Sequence, residues 1–211
     1  MDKEKNKKII DLLLEEYPDA CCQLDHRNPF ELLVAVILSA QCTDKRVNEI
    51  TPKLFAQYNT PKQFIELGEN DLAQIIKPCG LYKNKSKNII KTCMQLVNIH
   101  KGNVPKTLSE LLALPGVGRK TASVVLSTAF GIPAMPVDTH VFRVSTRIGL
   151  VIANNVKRTE QQLMETIPKD DWIKTHHLLI FHGRQVCHSK NPECNNCKIK
   201  DYCIFTNGIF K

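Results

Sequence analysis

Apolar residues recur at helical spacing along nearly the whole chain. Ile9, Leu12, Leu13 and Tyr17 fall on one helical face. Asn28-Pro29-Phe30-Glu31 reads as a helix start: Asn at the cap, Pro in the first turn, Glu three residues after the cap. The run from there to Leu38 is apolar almost all round, the pattern of a helix buried on every side. Thr43-Asp44 can cap a helix toward Phe55. Thr60-Pro61 opens another, and Asn70 or Asp71 opens one that ends near Cys79-Gly80. Residues 83–100 predict a long amphipathic helix with Ile89, Ile90, Cys93, Leu96 and Val97 inward. Shorter helices are expected from Thr107 and from Val117. Val137, Val141 and Val144 suit a strand as well as a helix, but Asp138-Thr139 is a good cap and favours a helix to Gly149. Residues 155–167 and 171–181 complete the set. No pair of alternating runs is joined by a hairpin turn, so the expected fold class is all-α. Gly131-Ile132-Pro133 and Pro136 interrupt the pattern and suggest a boundary between two lobes.

Composition changes this picture little. Apolar residues make up 43% of the 211 positions and charged ones 24%, which places the chain among ordinary globular proteins rather than disordered ones. No apolar run approaches the roughly 20 residues that span a bilayer. The first eight residues are charged, and Asp11, Glu15 and Glu16 interrupt the apolar residues beyond them, unlike a signal peptide. A cytoplasmic, nucleoid-associated protein is expected. Charge adds more. Twenty-nine Lys and Arg stand against twenty-one Asp and Glu, a net +8, which points to a polyanion such as nucleic acid or to a lysine-rich solubilising surface.

Nine cysteines, an odd number, argue against a disulfide framework. Cys21, Cys22, Cys42, Cys79 and Cys93 are scattered and read as small apolar side chains. Cys187, Cys194, Cys197 and Cys203 crowd together with spacings of six, two and five residues. Four thiolates can close a metal site. Zinc sites of four cysteines usually show two Cys-x2-Cys pairs, and here there is one, so both an iron–sulfur cluster and zinc stay open. His182 and His188 are further candidate ligands.

Leu114-Pro-Gly-Val-Gly-Arg-Lys-Thr-Ala122 carries the most chemistry. A short helix ends at Leu114, a turn carries Gly116 and Gly118, and an Ala/Val-rich helix comes next. Glycines let a backbone come close to a ligand. The amides at a helix start favour an anion, which on a basic chain could be a DNA phosphate. A plain helix–turn–helix corner is the simpler alternative. Lys120 falls in the first turn of the second helix, where the dipole opposes an ammonium and favours the neutral amine that a lysine nucleophile needs. It could equally bind phosphate. Asp138, after the Pro-rich break, is either a helix cap or a carboxylate aimed at chemistry.

Together these residues resemble the endonuclease III family of DNA repair glycosylases, over nearly the whole chain. The resemblance rests on the 114–122 stretch, on Val137-Asp138-Thr139-His140-Val-Phe-Arg143 and on the cysteine spacing. Leu38-Ser-Ala-Gln41-Cys42-Thr-Asp44 and Gly80-Leu81-Tyr82 also carry it. Cys42 departs from the usual Thr or Ala. The resemblance implies a two-lobed helix-hairpin-helix glycosylase fold, with a six-helix barrel over 22–132 and an iron–sulfur lobe of 1–21 and 133–211. It implies a [4Fe-4S] cluster rather than zinc, on Cys187, Cys194, Cys197 and Cys203. It places Lys120 and Asp138 as catalytic residues, buried on opposite walls of a cleft. DNA contacts would come from Gln41, Leu81, Gly116, Gly118, Arg119, His140, Arg143 and Lys190, with Arg147 a further basic candidate. The implied partner is double-stranded DNA with damaged pyrimidines or abasic sites, bound by a monomer. The rivals are an adenine-specific mismatch glycosylase, which generally lacks the hairpin lysine, a DNA-binding module without catalysis, and an iron–sulfur electron carrier.

Overall fold

The computed structural model describes residues 3–208, and among them every regular element is helical. The chain divides into two compact units. One is Gln23–Ile132, and the other joins Met1–Cys22 to Pro133–Lys211. Cys22 thus falls with the N-terminal segment, one residue beyond the expected boundary.

The 23–132 unit is built around α2 (Pro29–Leu38). Every residue from Phe30 to Leu38 is buried, so this helix has no polar face to turn to water. The Asn28 side chain accepts from the Glu31 amide at 2.9 Å. Glu31, itself buried, accepts from the backbone and guanidinium of Arg27 at 2.8 Å each, which keeps its charge compensated. The single helix expected toward Phe55 is two, α3 (Asp44–Asn48) and α4 (Thr51–Gln57). Pro52 explains the break: its ring would clash with the Asn48 carbonyl in a continuous helix. The two helices expected around residues 61–79 form one bent element, α5 (Pro61–Ile75), kinked where Gly68 takes φ 81°. Thr60 and Gln63 cap it reciprocally. A single 3-10 turn, Lys77–Cys79, comes after it. α6 (Tyr82–His100) packs along α5 and against α2, α7 is Leu108–Leu112, and α8 (Arg119–Phe130) packs on α2 and α7. The resemblance implied six helices here; the break at Pro52 makes seven segments.

The other unit packs α11 (Trp172–Gln185) against α9 (Thr139–Ile148) and α1 (Lys3–Glu16), with α10 (Val156–Thr166) on α9. Ile9, Leu13, Val141, Val144, Ile148, Leu163, Leu178 and Leu179 share one core. The segment that fitted strand or helix is helix, capped by Asp138. α11 runs four residues further than expected, to Gln185.

Candidate active site

In the 23–132 unit, the turn between α7 and α8 is dictated by its residues. Leu114 and Val117 are buried and anchor it, and the Val117 amide donates to Leu114 O at 3.1 Å. Pro115 and Gly116 occupy the two central positions. Gly116 has φ 76°, as the third residue of a type II turn requires. A Cβ at Gly116 would stand 2.9 Å from Asn88 Cβ, so α6 and the turn approach as closely as backbone allows. Thr92 on α6 donates to Pro115 O at 2.8 Å and fixes the turn from the same side. Gly118 has ordinary extended φ, and a Cβ there would meet nothing within 4 Å. It is the N-cap of α8 and makes no side-chain cap bond, and a helix start of this kind favours an anion. Arg119 and Lys120 are the first two residues of α8, and both are exposed. The burial expected for Lys120 is not observed.

Two more expected residues belong to this unit and share a property. Gln41 has φ 54° and Leu81 φ 47°, left-handed conformations that side chains resist. Both are exposed; Leu81 is 53% exposed, so it is no core leucine.

In the other unit, Asp138 is half-buried, and its Oδ1 accepts from the Val141 amide at 2.8 Å. It is a cap, and its carboxylate also acts on His140. Burial holds the His140 pKa below its ordinary value, against the pull of Asp138. Arg143 does not reach outward as expected of a DNA contact. Its guanidinium donates to Gly183 O at 2.8 Å, to Cys187 O at 3.1 Å and to His140 Nδ1 at 3.1 Å. Lys190 is exposed in the loop before the Cys-x2-Cys pair, next to Asn191 with φ 48°.

Cys187 and Cys203 are buried, and Cys194 and Cys197 half-buried. The four thiols lie within electrostatic reach of one another, and burial raises the Cys194 and Cys197 pKa values. Among the described residues no three His, Cys, Asp or Glu side chains are arranged to hold one metal ion. A cubane does not ask for that arrangement, because each thiolate binds its own iron. Four cysteines within electrostatic reach of one another, at spacings of six, two and five, fit the donor set of such a cluster. The surroundings brace them in ways the sequence did not announce. Arg147 donates to Cys187 Sγ at 3.7 Å, to His188 O at 2.6 Å and to Ser189 O at 3.0 Å. His182 lies between Tyr17 and the cysteines: Tyr17 Oη is 3.1 Å from Nδ1, and Nε2 is 3.7 Å from Cys197 Sγ. His188 pairs with Glu193 at 3.5 Å.

Residues 34–169 match the family model described as HhH-GPD superfamily base excision DNA repair protein. The chain is 47% identical to endonuclease III of Haemophilus influenzae over 209 residues, 99% of each chain. It is 48% identical to endonuclease III of Bacillus subtilis over 203 residues, 94% of this chain and 93% of the relative. The chain belongs to the endonuclease III family. Its fold agrees. It superposes on a trapped endonuclease III–DNA covalent intermediate with TM-score 0.94, at 46% identity over the whole of both chains. A thermostable thymine-DNA glycosylase gives TM-score 0.87 at 23% identity, covering 97% of this chain and 98% of that one, a likeness of fold. As an endonuclease III family member the chain is a base excision repair glycosylase with abasic-site lyase activity, and DNA is its partner.

Proposed function

We propose that this endonuclease III family member removes damaged pyrimidines from duplex DNA as a monomer, with Lys120 as nucleophile. The observation that carries the reading is the α7–α8 turn. It ends in a helix start with no side-chain cap, and it presents Lys120 exposed beside amides suited to phosphate. A base inside the stack cannot be attacked at C1′, so the nucleotide is flipped out, and damage makes that cheaper. Leu81 is an exposed apolar wedge for the gap, and Gln41 is a polar side chain able to bond the orphaned base. The neutral Lys120 amine attacks C1′ and the base leaves. The C1′–O4′ bond then breaks, O4′ taking a proton, and the open-chain Schiff base that results acidifies C2′. Loss of a C2′ proton then expels the 3′ phosphate by β-elimination. Asp138 supplies a carboxylate that takes the Lys120 proton or steadies positive charge on the sugar. Gly116, Gly118, Arg119 and Lys190 contact the DNA backbone. His140 serves from the first turn of α9, with Arg143 holding its ring.

Cys187, Cys194, Cys197 and Cys203 would hold the cluster. Bound there, it would tie the loop after α11 into the fold, since metal binding and folding are coupled.

Borohydride reduction in the presence of abasic duplex tests the assignment. A covalent adduct mapping to Lys120 is expected, and Lys120→Gln should bind DNA yet yield none. Asp138→Asn should keep the cap, because Asn caps as well as Asp, while base release slows. An adduct at another amine would overturn the reading.

A further inference from the structure

A buried charge that this chemistry does not use lies behind the two left-handed residues. Lys85, in the first turn of α6, is 5% exposed. Its Nζ donates to Leu38 O and to Cys79 O, each at 2.8 Å. Leu38 ends α2, and Cys79 ends the 3-10 turn before α6. The last carbonyls of a helix lack helical partners and carry its negative dipole end. One ammonium thus satisfies two chain ends. Gln41 comes three residues after Leu38, and Leu81 two after Cys79.

The groups acting electrostatically on Lys85 are the Cys42 and Cys79 thiols, hydrogen-bonded to each other; burial lowers the lysine's pKa. Taking a cation out of water is costly, and an apolar side chain of similar shape is often the more stable choice. What the ammonium supplies that an apolar chain cannot is a joint between the two loops.

We infer that Lys85 is a positioning residue for lesion recognition. It pins the loops of Gln41 and Leu81 at one separation, so that both side chains meet the gap left by a flipped nucleotide. This rests on the proposed wedge role of Gln41 and Leu81.

The test is Lys85→Met, similar in shape and without the charge. Single-turnover cleavage of an abasic site is measured in duplex and in single-stranded DNA. A single strand has no stack to hold open, so it needs no wedge. The duplex rate should fall about tenfold or more, the equivalent of one lost charge-assisted hydrogen bond, while the single-strand rate holds. The fluorescence of 2-aminopurine opposite the lesion should report less unstacking. Equal loss on both substrates means general damage and overturns the inference, as does no loss on either. Should Lys85→Met fail to fold, Lys85→Gln, which keeps one donor, is read by the same ratio. Gln41→Ala and Leu81→Ala separate the two levels. If neither changes the duplex-to-single-strand ratio, the wedge reading falls. If they change it and Lys85→Met does not, only the joint falls.

Discussion

Gly116 and Gly118 lie two residues apart in one turn, and the structure gives them different work. Gly116→Ala forces a side chain into the left-handed region, which costs about 1–2 kcal/mol. It also sets a Cβ 2.9 Å from Asn88 Cβ. Asn88 sits on α6, which is packed along α5, so the overlap is relieved only by moving a helix, at about 1–3 kcal/mol more. The sum is about 2–5 kcal/mol, a large part of an ordinary domain's stability. At about 2–4 °C per kcal/mol for a chain of this size, the melting midpoint should fall by about 4–20 °C. Gly118→Ala meets nothing, and φ −88° suits any residue. It should cost no more than about 1 kcal/mol, the usual penalty of Ala at an N-cap. Its methyl group instead stands where a phosphate would approach the amides. Gly118→Ala should therefore lower the melting midpoint by no more than about 4 °C and lose DNA affinity, read by fluorescence anisotropy at fixed salt. Wild-type affinity in Gly118→Ala would refute the backbone contact. Wild-type melting in Gly116→Ala would refute the close approach.

Protein prepared anaerobically should be brown with about four irons per chain, and Cys197→Ser should lose colour and lower the melting midpoint. Colourless protein with stoichiometric zinc would sink the cluster assignment. Buried His177 is pushed down to about 4 by burial, with Lys174 adding to the effect. The unfolded chain protonates this imidazole near pH 6.5 and the folded chain only near 4, so stability falls as pH drops through that window, by at most about 3 kcal/mol. Urea titrations across it should show a shallower fall for His177→Gln; an unchanged slope would count against the assignment.

What the sequence discloses is mainly local. Asn28, Thr43, Thr60, Thr107, Asp138 and Asn155 all bond an amide three residues on, and each was readable because cap and helix are neighbours in the chain. The hairpin turn was readable for the same reason. The basic residues were not. Arg143 and Arg147 look like contacts for a polyanion, yet their guanidinium groups hold carbonyls some forty residues away around the cysteines. Lys85 looks like the polar face of an amphipathic helix until Leu38, 47 residues earlier, is brought to it. A positive side chain advertises its charge in sequence and conceals its partner.

Backbone strain singles out two residues more sharply than sequence does. Among the described residues, four other than glycine take positive φ: Gln41, Leu81, Lys101 and Asn191. Lys101 closes α6, and asparagine tolerates this region, so both have ordinary reasons. Gln41 and Leu81 remain. Leu81 sits in the cap position of α6, makes no cap bond, and leaves half its surface in water. A core leucine exchanged for a small residue costs about 2–5 kcal/mol. Leu81→Asn should behave otherwise. It loses partial burial of about 1 kcal/mol and regains about as much from the left-handed backbone. Chemical denaturation should show stability within about 1 kcal/mol of the parent, while single-turnover base release from damaged duplex falls at least about tenfold. A destabilised variant that stays active would mean that Leu81 is held for packing. A stable variant that cannot open the duplex would show strain kept in place for recognition, as expected where a fold stores unfavourable geometry at a working residue.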